Sequence, residues 1–435
     1  MLQGIALFGI IIVLYGALAG RLGRWSITAP MIFVAAGFLL SSGGLNLHQV
    51  TPHTEGIKEL TEITLALLLF ADASTLSFRQ VREDARLPLR LLTIGIVLTI
   101  ALGTIVAGIL LPGEGLAFAA LLGAILAPTD AALGLPIFNN PVVPVRIRRA
   151  LNVESGLNDG IATPFVTLFI AFAAASEAGS HRDGWLATAL LAIGLALVVG
   201  VGIGVVGGWL LRQASRRGWT EGGAMQIGVL GLSLTAYFGS IALHGNGFIA
   251  AFIGGIAFGA IMNHQAAEVS EATENLGAFL SILIWGIFGA LFLPLALQST
   301  TTWRPIAYAI LSLTVIRMAP VALALRGVGF RRDTVALMGW FGPRGLASVV
   351  FTLMAFLEFE QAGRPIDTLA AVATWTILLS VFAHGLSAVP LSAWYARRLA
   401  AAGQPLAEAA VVPEPPGRRK WLAGQAQVAQ EIMAP

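Results

Sequence analysis

The chain has 435 residues, 57% of them hydrophobic and 11% charged, and a mean hydropathy of +0.82. Soluble domains carry about 25% charged residues, so this composition excludes an ordinary soluble globule and calls for a polytopic membrane protein. The absence of cysteine excludes disulfides, zinc–thiolate sites and iron–sulfur clusters, and the net charge of +3 must be placed relative to a membrane before it argues for an anionic partner.

Apolar runs lie roughly at 3–20, 27–42, 60–77, 91–111, 116–138, 150–175, 185–211, 223–243, 247–262, 276–297, 304–325, 334–357 and 368–392, which predicts an all-α polytopic protein of about 13 transmembrane helices. Met1 is followed by neither a basic region nor a small-residue cleavage site, so it is read as opening the first span and not a signal peptide. An odd number of spans puts the termini on opposite sides. Alternate loops carry Arg21 and Arg24, Arg79 to Arg90, Arg146 to Arg149, Arg212 to Arg217, Arg326 to Arg332, and Arg397 with Arg398. The other loops hold Lys58, Arg182, Arg304 and Arg364. The positive-inside rule then predicts a cell (inner) membrane protein with its N-terminus outside and its C-terminus cytoplasmic. The basic excess is topological, and no nucleic-acid partner is expected. Residues 1–398 form the transmembrane domain on this reading, and the Ala-, Pro-, Glu- and Gln-rich segment 399–435 is predicted to be a short disordered tail.

Two spans are interrupted. Ala127-Pro128-Thr129-Asp130 breaks the fifth and Phe341-Gly342-Pro343-Arg344-Gly345 the twelfth. A proline in mid-span frees a carbonyl, which a membrane tolerates only where a cavity or a partner satisfies it. The matching positions of the breaks in spans one to six and eight to thirteen predict inverted repeats that cross at a midplane site, where half-helix ends face bound charge.

Ionisable residues within the spans are functional candidates by default. They are Asp130, Glu154 and Asp159 against Arg317 and Arg344. On a helix Glu154 and Asn158 share one face and Ser155 and Asp159 the neighbouring one, a turn apart in each case. Arginines or helix N-terminal N–H groups are expected to hold Glu154 and Asp130. The acids outnumber the arginines by one, and Asp159 is the candidate to take a proton or a cation. Ser155, and Thr129 with its freed backbone carbonyls, offer the neutral oxygens that suit a hard monovalent ion. Asp72 ends the third span and is a candidate funnel residue that attracts cations or pairs with Arg79. His244, His384 and Glu62 are read as interfacial or locally hydrogen-bonded. Gly202 to Gly207 fits G-x-G-x-x-G, but it lies within an apolar span and reads as helix packing.

The strings Ala127-Pro-Thr-Asp130, Glu154-Ser-Gly-Leu-Asn-Asp-Gly160, Arg317 and Gly342-Pro-Arg-Gly345 resemble the monovalent cation/proton antiporters of the NhaP and sodium/proton exchanger branch. The resemblance covers all the spans. It implies that Asp159 is the exchanging carboxylate, that Ser155 and Thr129 are cation ligands, and that Asn158, Glu154, Asp130 and the two arginines hold the crossed helices together. It also implies an elevator-like cycle in which a core, about 91–175 and 304–392, moves against a scaffold, about 1–77 and 185–297. With the small-residue runs Gly200 to Gly208 and Gly254-Gly255 it predicts a homodimer in membrane lipid. The chain departs from the commonest pattern at Gly156, Ala131 and Asp72. The function implied is electroneutral exchange of one Na+ for one H+, without a cofactor and without enzymatic chemistry. Asn158 stands where electrogenic relatives carry a second aspartate. A K+/H+ or Li+-tolerant antiporter is the alternative, since ligand types are shared among alkali cations, followed by a proton-coupled solute symporter or a channel.

Overall fold

Proline, asparagine and glycine punctuate the apolar runs where the helices begin and end. Pro30 sits in the first turn of the second helix, where its missing N–H costs nothing. Asn246 caps the helix from Gly247, its Oδ1 accepting from Ile249 N at 3.0 Å. The computed structural model describes residues 2–45, 55–76, 86–138, 140, 142–177, 184–361, 367–401 and 407–409. Its main helices are α1 (Leu2–Arg24), α2 (Ala29–Leu40), α3 (Glu55–Ser74), α4 (Arg86–Leu110), α5 (Gly115–Ile125), α6 (Ala131–Phe138), α7 (Val145–Glu177) and α8 (Trp185–Arg216). They continue as α9 (Gly222–Ala242), α10 (Gly247–Met262), α11 (Glu271–Ser299), α12 (Arg304–Leu313), α13 (Val315–Ala324), α14 (Arg332–Trp340), α15 (Leu346–Gln361) and α16 (Asp367–Ala400).

Every predicted run is helical, and among the described residues nine helices are long and apolar enough to cross a membrane. The fifth and twelfth runs are split into α5 with α6 and α14 with α15, at the expected proline-containing breaks. One interruption was not foreseen. The eleventh run divides into α12 and α13 at Thr314, whose φ of −108° and ψ of −92° leave the helical region. The apolar surface faces outward: Val198, Ile227 and Ile109 are each more than 70% exposed, while Glu154, Arg317 and Arg344 are buried. That is the arrangement lipid requires. The chain is a multi-pass integral membrane protein.

The helices group into two compact units, one of residues 1–54, 86–155 and 282–435 and the other of 55–85 and 156–281, with the boundary inside α7 and again inside α11. In the second unit α10 packs on α3, α8 and α9. A Cβ on Gly204 would collide with the Gly254 carbonyl, and one on Gly255 with the Phe70 carbonyl. Gly200, Gly204, Gly207, Gly208 and Gly254-Gly255 are thus engaged by packing inside the chain. In the first unit α4 packs on α5, α12 on α16, and α13 on α14.

The segment after 398, expected to be disordered, is ordered in part. α16 runs to Ala400, and 407–409 form a 3₁₀ turn. Glu408 is buried and accepts from Arg331 N at 2.8 Å and Thr334 Oγ1 at 2.7 Å, so it caps α14 from far along the chain. Arg146 Nη1 donates to the Ala407 carbonyl at 2.7 Å. The rest of the tail, 402–406 and 410–435, lies outside the described residues, as does Arg79 and with it the expected pairing to Asp72.

Candidate functional site

The two breaks meet, and each satisfies the backbone groups that the other frees. Asp130 ends the first break. Its Oδ1 accepts from Ala132 N at 2.6 Å and Leu133 N at 3.1 Å, capping α6, and its Oδ2 accepts from Leu346 N at 2.9 Å, capping α15. One carboxylate therefore faces the positive ends of two half-helices. The Asp130 N–H donates to the Pro343 carbonyl at 2.7 Å, and Ser348 Oγ donates to the Ile125 carbonyl at 2.8 Å. Gly345 is required by this approach, because a Cβ there would collide with the Asp130 carboxylate.

Arg344 performs the reciprocal task with opposite charge. Its Nη1 donates to the Ala127 carbonyl and, at 3.3 Å, to the Pro128 carbonyl, while Nη2 donates to the Ser312 carbonyl at 3.3 Å. A guanidinium on freed carbonyls at helix C-terminal ends is the favourable sign of interaction. Of the two kinds of holder expected, helix N-terminal N–H groups hold Asp130 and an arginine holds Glu154, while Arg344, expected in an ion pair, is held by carbonyls. Glu154 and Arg317 form an acid–arginine pair, with Nη1 to Oε1 at 2.6 Å and both side chains 3% exposed.

Thr129 lies in the first break, and Ser155 on α7 follows Glu154. Their hydroxyl oxygens are 3.1 Å apart and both are buried. α7 continues unbroken, with Asn158 buried and Asp159 half-buried one turn beyond Ser155; the Asp159 backbone carbonyl accepts from Thr163 Oγ1 at 2.8 Å. Near the pair, Glu154 Oε2, Arg317 Nε and Nη2, Arg344 Nε and Ser312 Oγ are buried without a protein hydrogen-bond partner. Each such atom costs about 1–3 kcal/mol if it stays dry, which favours a hydrated site. Asp72 is half-buried in the last turn of α3.

One group escaped sequence reasoning: Ser380 Oγ on α16 accepts from Arg344 N at 2.6 Å. His384, read as interfacial or locally hydrogen-bonded, is 1% exposed and is hydrogen-bonded to Ser380 on its own helix and to the Trp340 carbonyl beside the same break. The signal available was weak: a serine and a histidine four residues apart in an apolar span.

The fold and the crossed breaks define a class, a multi-pass membrane protein in which two half-helix pairs place charge on one another's ends. Residues 8–394 match the family model described as "Sodium/hydrogen exchanger, transmembrane", and the chain belongs to that family. The K(+)/H(+) antiporter NhaP2 of Shewanella sp. strain ANA-3 is 25% identical over 389 residues, covering 88% of this chain and 64% of that relative. The Na(+)/H(+) antiporter 2 of Zygosaccharomyces rouxii is 29% identical over 275 residues, covering 58% of this chain and 33% of its own. The chain thus spans less than two thirds of the length of these relatives. The structure of the sodium proton antiporter MjNhaP1 from Methanocaldococcus jannaschii at pH 8 superposes with a TM-score of 0.72 at 20% identity, covering 93% of this chain and 99% of that one, a likeness of fold.

Proposed function

We propose that this protein is a monovalent cation/proton antiporter that exchanges Na+ for H+ one for one. One observation carries the reading. Asp130 is engaged by the N-termini of α6 and α15, and Glu154 by Arg317, so both carry structural charge. The hydroxyls of Thr129 and Ser155 are paired beside them, and Asp159 follows one turn along α7. Asp159 holds either the proton or the cation, with Ser155 and Thr129 as neutral oxygen ligands and Asn158 as a supporting polar group. Competition for one carboxylate makes activity bell-shaped in pH: protons exclude the cation at low pH and are too scarce for the return step at high pH. The relatives' names divide between K(+) and Na(+), which makes K+/H+ exchange the second reading.

The cycle we propose is elevator-like, with a core of about 91–175 and 304–392 moving against a scaffold and the crossed breaks related as inverted repeats. The protein is placed in the cell membrane with its C-terminus cytoplasmic, as a homodimer surrounded by lipid. Native mass spectrometry in mild detergent and nanodiscs checks the dimer; a monomer in both contradicts it. The functional test is dequenching of a pH dye in sealed proteoliposomes on adding Na+, K+ or Li+. Dequenching by Na+ that is lost in Asp159→Asn is expected, and full activity of that variant overturns the assignment.

A further inference from the structure

We propose that His384 and Ser380 are positioning residues that hold the second break in its ion-binding geometry and so set cation affinity; this rests on the exchange reading above. The break between α14 and α15 leaves orphan backbone groups at both of its edges. On one edge His384 Nε2 lies 2.8 Å from the Trp340 carbonyl, the last residue of α14. On the other the Arg344 N–H donates to Ser380 Oγ at 2.6 Å. Ser380 Oγ is 3.1 Å from His384 Nδ1, and the two residues stand one turn apart on α16.

Each ring nitrogen of His384 faces a backbone carbonyl, Nδ1 that of Ser380 at 2.9 Å and Nε2 that of Trp340 at 2.8 Å, and Nδ1 also lies 3.1 Å from Ser380 Oγ, which accepts from Arg344 N–H. Trp340 is fixed a second time by its indole N–H, which donates to Ser387 Oγ at 2.9 Å, and its ring lies 5.0 Å from the imidazole. α16 thus acts as a template for the break.

The link to the ion runs through Arg344. Its backbone is held by Ser380, and its guanidinium grips the Ala127 and Pro128 carbonyls. Thr129 follows directly, with its hydroxyl at Ser155. Loosening the Trp340–His384–Ser380–Arg344 chain releases the guanidinium and shifts the carbonyls and hydroxyl beside it. A glutamine at 384 retains one donor and one acceptor, whereas a leucine retains neither.

The test uses His384→Leu, His384→Gln and Ser380→Ala in the full chain, with two readouts: the half-saturating Na+ concentration for exchange, and the Na+ concentration that gives half the thermal stabilisation of the detergent-purified protein. Both midpoints are expected to rise about fivefold in His384→Leu and Ser380→Ala, the equivalent of one lost neutral hydrogen bond, and to stay within about twofold in His384→Gln. The double variant His384→Leu with Ser380→Ala shifts less than the product of the two, because both act on one chain. Unchanged midpoints in His384→Leu, or a glutamine variant as impaired as the leucine one, overturn the proposal even if both variants melt earlier. If His384→Leu does not fold, the Ser380→Ala midpoint decides in the same way. Wild-type protein that binds Na+ without exchanging it refutes the exchange reading alone, and the thermal midpoints still decide the role of His384.

Discussion

The two compact units solve the problem of helix packing in lipid by opposite means. In the second unit α8 and α10 pass so closely that glycine alone fits, and backbone lies on backbone with no charge between. In the first unit α5 with α6 and α14 with α15 give up helical continuity, and Asp130, Arg344 and Ser380 take over the backbone groups thereby freed. The first solution is apolar and tolerates no added volume. The second is polar and tolerates no lost charge, and it keeps charged atoms at mid-span where an ion can be bound. The difference teaches that Asp130 and Arg344 serve the breaks while Glu154 and Asp159 stand on the unbroken α7, and that each break supplies groups that satisfy the other.

Substitutions sharpen that contrast. The largest loss of stability is expected for Glu154→Gln or Arg317→Ala, each of which strands a buried charge at a cost of about 3–5 kcal/mol. Thermal denaturation in detergent checks this, and a melting point equal to wild type contradicts a structural role for the pair. Next comes Gly204→Leu in the second unit, where overpacking costs about 1–3 kcal/mol. It should lower the melting point, and an unchanged melting point contradicts the close packing of α8 on α10. Asp130→Asn replaces one of the two accepting oxygens by an amide NH2, so it removes the charge and one of the two caps, for about 1–2 kcal/mol. The smallest effect is expected for Glu408→Ala, about 1 kcal/mol for the lost cap on α14. Hydrogen exchange should rise at the Arg331 amide in that variant, and unaltered exchange there contradicts the cap.

Much of this contrast was legible along the chain. Pro128 and Pro343 announced the breaks, because proline removes a donor wherever it falls, and the acids and arginines were conspicuous in apolar runs. Their partners were not legible. Counting charges left arginines and helix N-terminal N–H groups both open as holders of the acids; a half-helix end offers several N–H groups or carbonyls at once, so Asp130 and Arg344 are held by backbone, and Glu154 and Arg317 by each other. Gly204 and Gly254 were legible as marks of close helix approach, but small residues do not say which helix approaches. Thr314 carries no proline or glycine to betray its break. Glu408 and His384 become visible only when distant segments meet, since no local periodicity marks a cap or a clamp supplied from elsewhere.

The central claim is that one carboxylate, Asp159, carries either one proton or one cation in each cycle. A cycle of that kind moves no net charge, whereas net movement of one charge would couple to about 2.3 kcal/mol per 100 mV of membrane potential. The most direct measurement is the sodium gradient that just balances a fixed pH gradient in sealed proteoliposomes, with the potential clamped by potassium and valinomycin. The account predicts a balance point that does not move as the clamped voltage is changed. A balance point that moves with voltage would mean that a second group such as Asp130 or Glu154 titrates in the cycle, and would contradict the single-carboxylate mechanism.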